Sequence, residues 1–402
     1  MSIPERSLII IIHLSLALII GGCALVQTIP GAGPDSKSLP TQLSETPDPP
    51  LTTNTPSVEG LPANQPSTSR PETVIPTHTP APTGTSAPNP TAVEPTFDVG
   101  IEITIPYLRE VEIPGSVLTL HEELSPGSNY ERHLVSYISE ENRIYGLLTI
   151  PLQDPPEDGY KAIIFNHGYI PPWEYKTTQR YQGHVDFLAR NGFVVFKIDY
   201  RGHGKSEGEP VGTYLSPGYT IDAINALKTL QRLAIVDPQG IGMWGHSMAG
   251  NLILRAMLLE PDIQAGVIWA GAVYSYQDFV KYGINDNSYR PPPTPEGEEG
   301  EDHRNPSRKI FETYGRPDIG VDFWQAVSLT EHIEHLNSPL QIHHAEDDPV
   351  VRIDYSWDLV QVLKDNNKEY EFYTYEGGGH NLNSPYFDQA MLRSVQFFKD
   401  NL

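Results

Sequence analysis

The stretch Ile241-Gly242-Met243-Trp244-Gly245-His246-Ser247-Met248-Ala249-Gly250 constrains this chain more than any other. It opens as an apolar run of the kind that forms a buried strand. It continues into Asn251 to Leu259, whose apolar density suits a buried helix. Between the two sits Ser247, with Gly245 two residues before it and Ala249 two after. Strand, tight turn and helix in this order hold a serine hydroxyl up at the end of a central strand. The flanking residues have to be small because the helix crosses close to the strand. Ala249 stands where glycine is usual and adds one methyl group. A small-x-Ser-x-small pattern arises by chance roughly once in every few chains of this size. The remaining sequence must therefore supply the groups that would make such a serine reactive.

Bulk properties narrow the class. The chain has 402 residues and a formal net charge of -24, which argues against nucleic acid or an anionic lipid surface as a partner. The one cysteine, Cys23, rules out an intrachain disulfide. Arg6 is followed by an apolar run from Ser7 to Ile20, of signal-peptide length and short for a membrane span. The run ends in Ile20-Gly21-Gly22-Cys23, which resembles a bacterial lipobox. That resemblance implies lipidation of Cys23 and an extracytoplasmic, membrane-anchored protein. Residues 24–96 are dominated by Pro, Thr, Ser, Gly and Asn and have no apolar period. They cannot bury enough surface to offset their ordering entropy, so they read as an extended tether.

The folded domain is expected over 97–402. Ile101 to Ile105 alternates like a strand, and His133–Ile138 with Arg143–Ile150 reads as a hairpin. Strands are expected at Ala162–Asn166, Phe193–Asp199, Ala265–Ala270, Ser338–His344 and Tyr370–Tyr375. Helices are expected at Thr178–Asn191, Thr220–Leu233, Asp354–Lys364 and Phe387–Leu402. Strands alternating with helices predict an α/β fold with a mostly parallel sheet covered on both faces. The alternation stops over 273–337, which is too long for an ordinary connection. This stretch carries an acidic run, Glu296 to Asp302, and then Phe311, Tyr314, Phe323 and Trp324. It reads as an inserted cap over the strand ends. Phe323 and Trp324 are the expected substrate-binding residues.

Acyl transfer by a serine needs a base, an acid to orient the base, and donors for the developing oxyanion. An acidic turn, Glu346-Asp347-Asp348, follows one predicted strand, and a glycine loop presents His380 after the last. The order Ser, acid, His is that of the α/β hydrolases. From about Arg143 onward the chain resembles that superfamily, and most closely the catalytic domain of the prolyl oligopeptidase family. The resemblance rests on Asp199-Tyr200-Arg201-Gly202, on Pro339 to Ser356 and on His167-Gly168. It implies Ser247, Asp348 and His380 as catalytic residues, with Asp347 and Glu346 as competing acids. It implies an oxyanion hole from the amides of Tyr169 and Met248. About a hundred residues of tether and strands cannot build the β-propeller that gates the oligopeptidases.

Other constellations are weaker. His246 should diverge from Ser247 and serve structure. His332 and His335 could pair on a metal, but no zinc signature is complete around them. Gly204-Lys205-Ser206 ends like a phosphate-binding loop, but Asp199 stands where the first glycine is required. Asp199 and Arg201 read as an architectural pair. No cofactor or metal is implied. The expected protein is a lipid-anchored serine hydrolase acting on a small peptide or ester, a peptidase with carboxylesterase as the alternative. A catalytically inactive binding lipoprotein is the alternative of another class.

Overall fold

A computed structural model of the protein describes residues 97–285 and 306–402. Cys23, the 24–96 tether and the acidic run at 296–302 lie outside the described residues. The strands are β1 (Thr119–Leu124), β2 (Tyr130–Ser139), β3 (Asn142–Pro151), β4 (Tyr160–Asn166), β5 (Val194–Ile198), β6 (Val236–His246), β7 (Gly266–Trp269), β8 (Leu340–Ala345) and β9 (Tyr370–Tyr375). The helices are α1 (Ile105–Glu110), α2 (Gln182–Arg190), α3 (Gly218–Leu230), α4 (Met248–Leu259), α5 (Tyr276–Tyr282), α6 (Pro306–Tyr314), α7 (Asp322–Val327), α8 (Asp354–Asp365) and α9 (Phe387–Asn401).

The strands form one sheet in the order β1-β2-β3-β5-β4-β6-β7-β8-β9. The edge from β1 to β5 is antiparallel, and every pairing from β5 through β4 to β9 is parallel. The expected α/β architecture is therefore present. Strands β5, β7 and β8 are buried along their whole length, as strands with helices on both faces must be. One core cluster joins the sheet to Ile224 and Leu227 of α3, Leu252 and Ile253 of α4, and Leu359 of α8. The other joins the opposite face to Leu188 of α2 and to Met391 and Phe398 of α9. This layering brings the carboxyl ends of β4, β6, β8 and β9 to one edge.

Two expectations are corrected. Residues 101–105 do not form a strand. Ile101–Ile103 is a 3-10 turn, and α1 starts at Ile105 because the Thr104 hydroxyl caps the Tyr107 amide and Pro106 fits the first helical turn. Phe323 and Trp324 do not line a substrate pocket. Both are fully buried in the main core. Phe323 stacks on Tyr314 at 4.0 Å and meets the edge of Phe97 at 5.4 Å, while Tyr314 donates its hydroxyl to the Val99 carbonyl. Trp324 packs against Tyr276 and Phe311. These aromatics extend the core toward the 97–110 segment and keep no surface for a ligand. Phe323→Ala should therefore cost about 3–5 kcal/mol of stability, the usual range for deleting a buried phenyl ring. A thermal melt checks the loss, and turnover of esters of increasing acyl length should give the wild-type profile.

Candidate active site

Ser247 occupies the turn between β6 and α4 with φ 57° and ψ -119°. A non-glycine residue in this region is strained, and such strain persists only where the surroundings over-determine it. Here the Ser247 amide donates to the Trp269 carbonyl at 2.8 Å, and the Gly250 amide donates back to the Ser247 carbonyl at 2.8 Å. Gly245 has no room for a side chain. A Cβ there would lie 2.7 Å from Ile253 Cδ1 and 2.8 Å from Ala249 Cβ. The methyl of Ala249 thus fits because residue 245 is glycine.

Asp348 lies in the turn after β8, and His380 in a 3-10 turn, Gly379–Asn381, after β9. The turn at His380 needs left-handed backbone at Gly378 (φ 103°) and Gly379 (φ 59°). His380 Nε2 is 2.9 Å from Ser247 Oγ, and His380 Nδ1 is 2.8 Å from Asp348 Oδ2. A carboxylate only accepts, so Nδ1 carries the proton and Nε2 is free to accept from the serine hydroxyl. Asp348 Oδ1 accepts from the amides of Val350 and Val351, and His344 Nε2 lies 3.3 Å from Oδ2. Burial alone would raise the Asp348 carboxyl. Hydrogen bonds from His344 and His380, the His380 charge and the Val351 amide outweigh it and hold the group well below the usual carboxylate range.

The neighbouring acids are occupied differently. Asp347 Oδ1 accepts from the Gly379 amide at 2.8 Å, so it braces the turn before His380. Glu346 is exposed. The segment His167-Gly168-Tyr169 follows β4 directly. The buried His167 donates from Nδ1 to the Gly168 carbonyl at 2.7 Å. That carbonyl belongs to the same peptide as the Tyr169 amide, so the bond fixes how this amide points. Met248 opens α4, and the first four N–H groups of a helix have no partner within it. A hydroxyl, an imidazole and a carboxylate linked in this way can deliver a serine nucleophile and return its proton to a leaving group.

His246 diverges from Ser247, but it is more than packing. Its Nε2 is 2.7 Å from the His380 carbonyl and its Nδ1 is 2.8 Å from the Tyr181 hydroxyl. Nothing local in the sequence marks Tyr181 or these bonds. Arg201 and Asp199 do not pair. Arg201 makes a bidentate contact to the buried Asp222 and an ion pair with Glu140, while Asp199 accepts from Tyr175 and Thr177. Donor atoms of His332, Glu334 and His335 lie within 4.8 Å of one another. Burial and the neighbouring Arg109 and Lys368 hold the His335 pKa down, and the same cations oppose a metal ion there. Arg109 donates to the Leu258 carbonyl, so this cluster lies toward the end of α4 away from Ser247. A cavity of about 390 Å³, lined by Tyr130, Arg132, Arg180 and Lys197, includes none of Ser247, Asp348 and His380.

Comparison with known families bears on the same region. A family described as "Serine aminopeptidase, S33" matches residues 159–286, and one described as "BAAT / Acyl-CoA thioester hydrolase C terminal" matches residues 223–401. Over residues 159–401 the chain is similar to hydrolases of these two families, and its sheet is that of an α/β-hydrolase fold. The chain is 25% identical over 260 residues to the "Uncharacterized peptidase YtmA" of Bacillus subtilis, across 64% of its own length and 88% of the relative's. It is 26% identical over 219 residues to human "Protein ABHD12B" and spans about half of that relative, 53% of each chain. Its fold is similar to that of acetyl xylan esterase 1 from a Thermoanaerobacterium, with TM-score 0.52, 17% identity, and coverage of 74% of this chain and 90% of that one. Dipeptidyl peptidase 4 of Porphyromonas gingivalis also has TM-score 0.52 and 17% identity, over 68% of this chain and 36% of the peptidase.

Proposed function

We propose that this hydrolase cleaves amide or ester bonds of small acyl compounds through an acyl-enzyme on Ser247. His380 takes the hydroxyl proton as Oγ attacks the carbonyl carbon, then gives it to the departing amine or alcohol. Asp348 holds the imidazole in the tautomer that allows this. The amides of Tyr169 and Met248 receive the oxyanion. Water then attacks the acyl-enzyme with His380 again as base, releasing the acid and restoring Ser247. The reading rests above all on the 2.9 Å and 2.8 Å contacts that join Ser247 to His380 and His380 to Asp348.

We favour a peptidase, because the serine aminopeptidase match contains the nucleophile region and the peptidase relative is matched along most of its length. The thioester-hydrolase match over 223–401 and the nearly full-length likeness to an esterase favour a carboxylesterase as the second reading. A panel of aminoacyl and N-acetylated peptide p-nitroanilides, set beside p-nitrophenyl esters, separates them. A peptidase turns over at least one amide class at a rate within reach of its ester rate. Turnover of esters with no detectable amide cleavage assigns the esterase.

We further propose that Cys23 is lipidated and anchors the enzyme to an extracytoplasmic membrane face, on the strength of Ile20-Gly21-Gly22-Cys23 and the Pro/Thr-rich stretch after it. Cys23→Ala should leave the protein unprocessed or release it from the membrane fraction. Mass spectrometry that finds an unmodified Cys23 at the mature N-terminus contradicts the anchor.

A further inference from the structure

His246 and Tyr181 lie against the Ser247–His380 pair, yet the reaction assigns them no role. Every proton in their chain of hydrogen bonds is determined. The His380 carbonyl can only accept, so His246 Nε2 carries a hydrogen and donates to it across 2.7 Å. Burial and the adjacent His380 hold the His246 pKa well below its ordinary value, so the ring stays neutral and Nδ1 keeps its lone pair. The Tyr181 hydroxyl, pushed up to about 12 by burial, donates to that lone pair across 2.8 Å. Its oxygen accepts from the Gly168 amide at 3.1 Å. The chain thus runs from the His167–Gly168 peptide, through the residue that precedes Ser247, to the backbone of His380.

The surrounding backbone is shaped for this contact. Arg180 and Tyr181 are consecutive non-glycine residues with φ of 51° and 54°, a conformation L side chains rarely adopt. It turns the tyrosine into the site just ahead of α2. Gly168 leaves the space the contact needs. A Cβ there would stand 2.8 Å from the Tyr181 hydroxyl and 3.1 Å from His246 Nδ1.

We infer that His246 and Tyr181 are positioning residues, a two-side-chain clamp that holds the His380 turn and the His167–Gly168 peptide, next to the one that carries the Tyr169 amide, in register around Ser247. This inference rests on the roles proposed above for Ser247, His380 and the Tyr169 amide. The clamp makes no hydrogen bond to Ser247 Oγ or to the His380 ring nitrogens, although the His246 ring packs on the His380 imidazole at 4.6 Å. It acts by fixing the backbone from which His380 reaches Ser247 Oγ.

The test compares steady-state kinetics on a p-nitrophenyl ester for the full chain and for His246→Leu, His246→Gln, Tyr181→Phe and the double variant His246→Leu/Tyr181→Phe, with Ser247→Ala as reference. Loss of the clamp should lower kcat about 100-fold in His246→Leu with KM nearly unchanged, the penalty expected for displacing a catalytic group by about 1 Å. His246→Gln restores an N–H toward the His380 carbonyl and should recover about tenfold of that loss. Tyr181→Phe removes a single oxygen and should lower kcat about tenfold, and the double variant should be no worse than His246→Leu, as for residues that act as a unit. Wild-type kcat in a folded His246→Leu, no recovery with glutamine, or fully multiplicative losses in the double variant overturns the clamp. If His246→Leu does not fold, wild-type kcat in Tyr181→Phe overturns it. Residual wild-type turnover in Ser247→Ala is a different failure, and it removes the catalytic reading itself.

Discussion

Asp348→Asn should lower kcat by about four orders of magnitude, the loss seen when the orienting carboxylate of a serine triad becomes an amide. The geometry explains why so small a change is so severe. Asp348 Oδ1 accepts from two backbone amides, Val350 and Val351, while Oδ2 faces His380 Nδ1. An asparagine in this place satisfies the two amides with its oxygen and turns its NH₂ group toward His380. The imidazole then has to accept at Nδ1 and carry its proton on Nε2, so it can no longer accept from Ser247. Asp347→Asn differs because the asparagine oxygen can still accept from the Gly379 amide. That variant should lose no more than about tenfold, a positioning effect. Matched kinetics on one ester, with circular dichroism showing both variants folded, check the ranking. The reverse order would move the acid to Asp347.

Stability should fall steeply between pH 7 and pH 5. His167, His246 and His343 are buried and held well below the ordinary histidine pKa, chiefly by burial. They stay neutral in the folded chain, while in the unfolded chain each takes up a proton below about 6.5. The unfolded state then binds more protons, so stability is lost as pH falls through that value. His184, held to about 3 by burial, alone costs about 2 kcal/mol at pH 5, and the other three add to the loss in the same direction. Asp199 opposes this. Burial raises its folded pKa to about 6, so the folded state takes up a proton over the same range. That returns only about 1 kcal/mol at pH 5. The net effect is a loss, set against a total stability of about 5–15 kcal/mol for a typical domain. Urea titrations at pH 7.5 and pH 5.0 measure it, and His343→Gln should flatten the slope. A midpoint independent of pH would mean that these histidines titrate alike in both states.

Much of this was legible in the sequence where burial runs along the chain. Strand β9 spans the six residues expected of it, and β4 and β5 follow from largely apolar runs. Strand β1 was illegible because it is an exposed edge with no apolar period. The segment Thr178–Tyr181 carries helix-compatible residues, yet α2 begins at Gln182 because Arg180 and Tyr181 adopt left-handed backbone. Aromatic character, on a stretch expected to lie over the strand ends, suggests a ligand-facing role for Phe323 and Trp324. Their partners include Phe97, more than two hundred positions away, and no local pattern reveals such a partner. The Ser247, Asp348 and His380 candidates could be read because each follows a strand whose end the fold brings to one edge. The bonds of His246, Tyr181 and Asp347 depend on how separate loops meet, and adjacency in sequence says nothing of them.

The most direct test of the account is covalent. The full chain is treated with a fluorophosphonate probe, digested, and the modified residue is located by mass spectrometry. A serine activated by His380 should carry the phosphonyl group on Ser247 within minutes. Labelling and ester turnover should vanish together in Ser247→Ala and slow in parallel in Asp348→Asn. Modification of another serine, or turnover that survives Ser247→Ala, would contradict the assignment of Ser247 as the nucleophile.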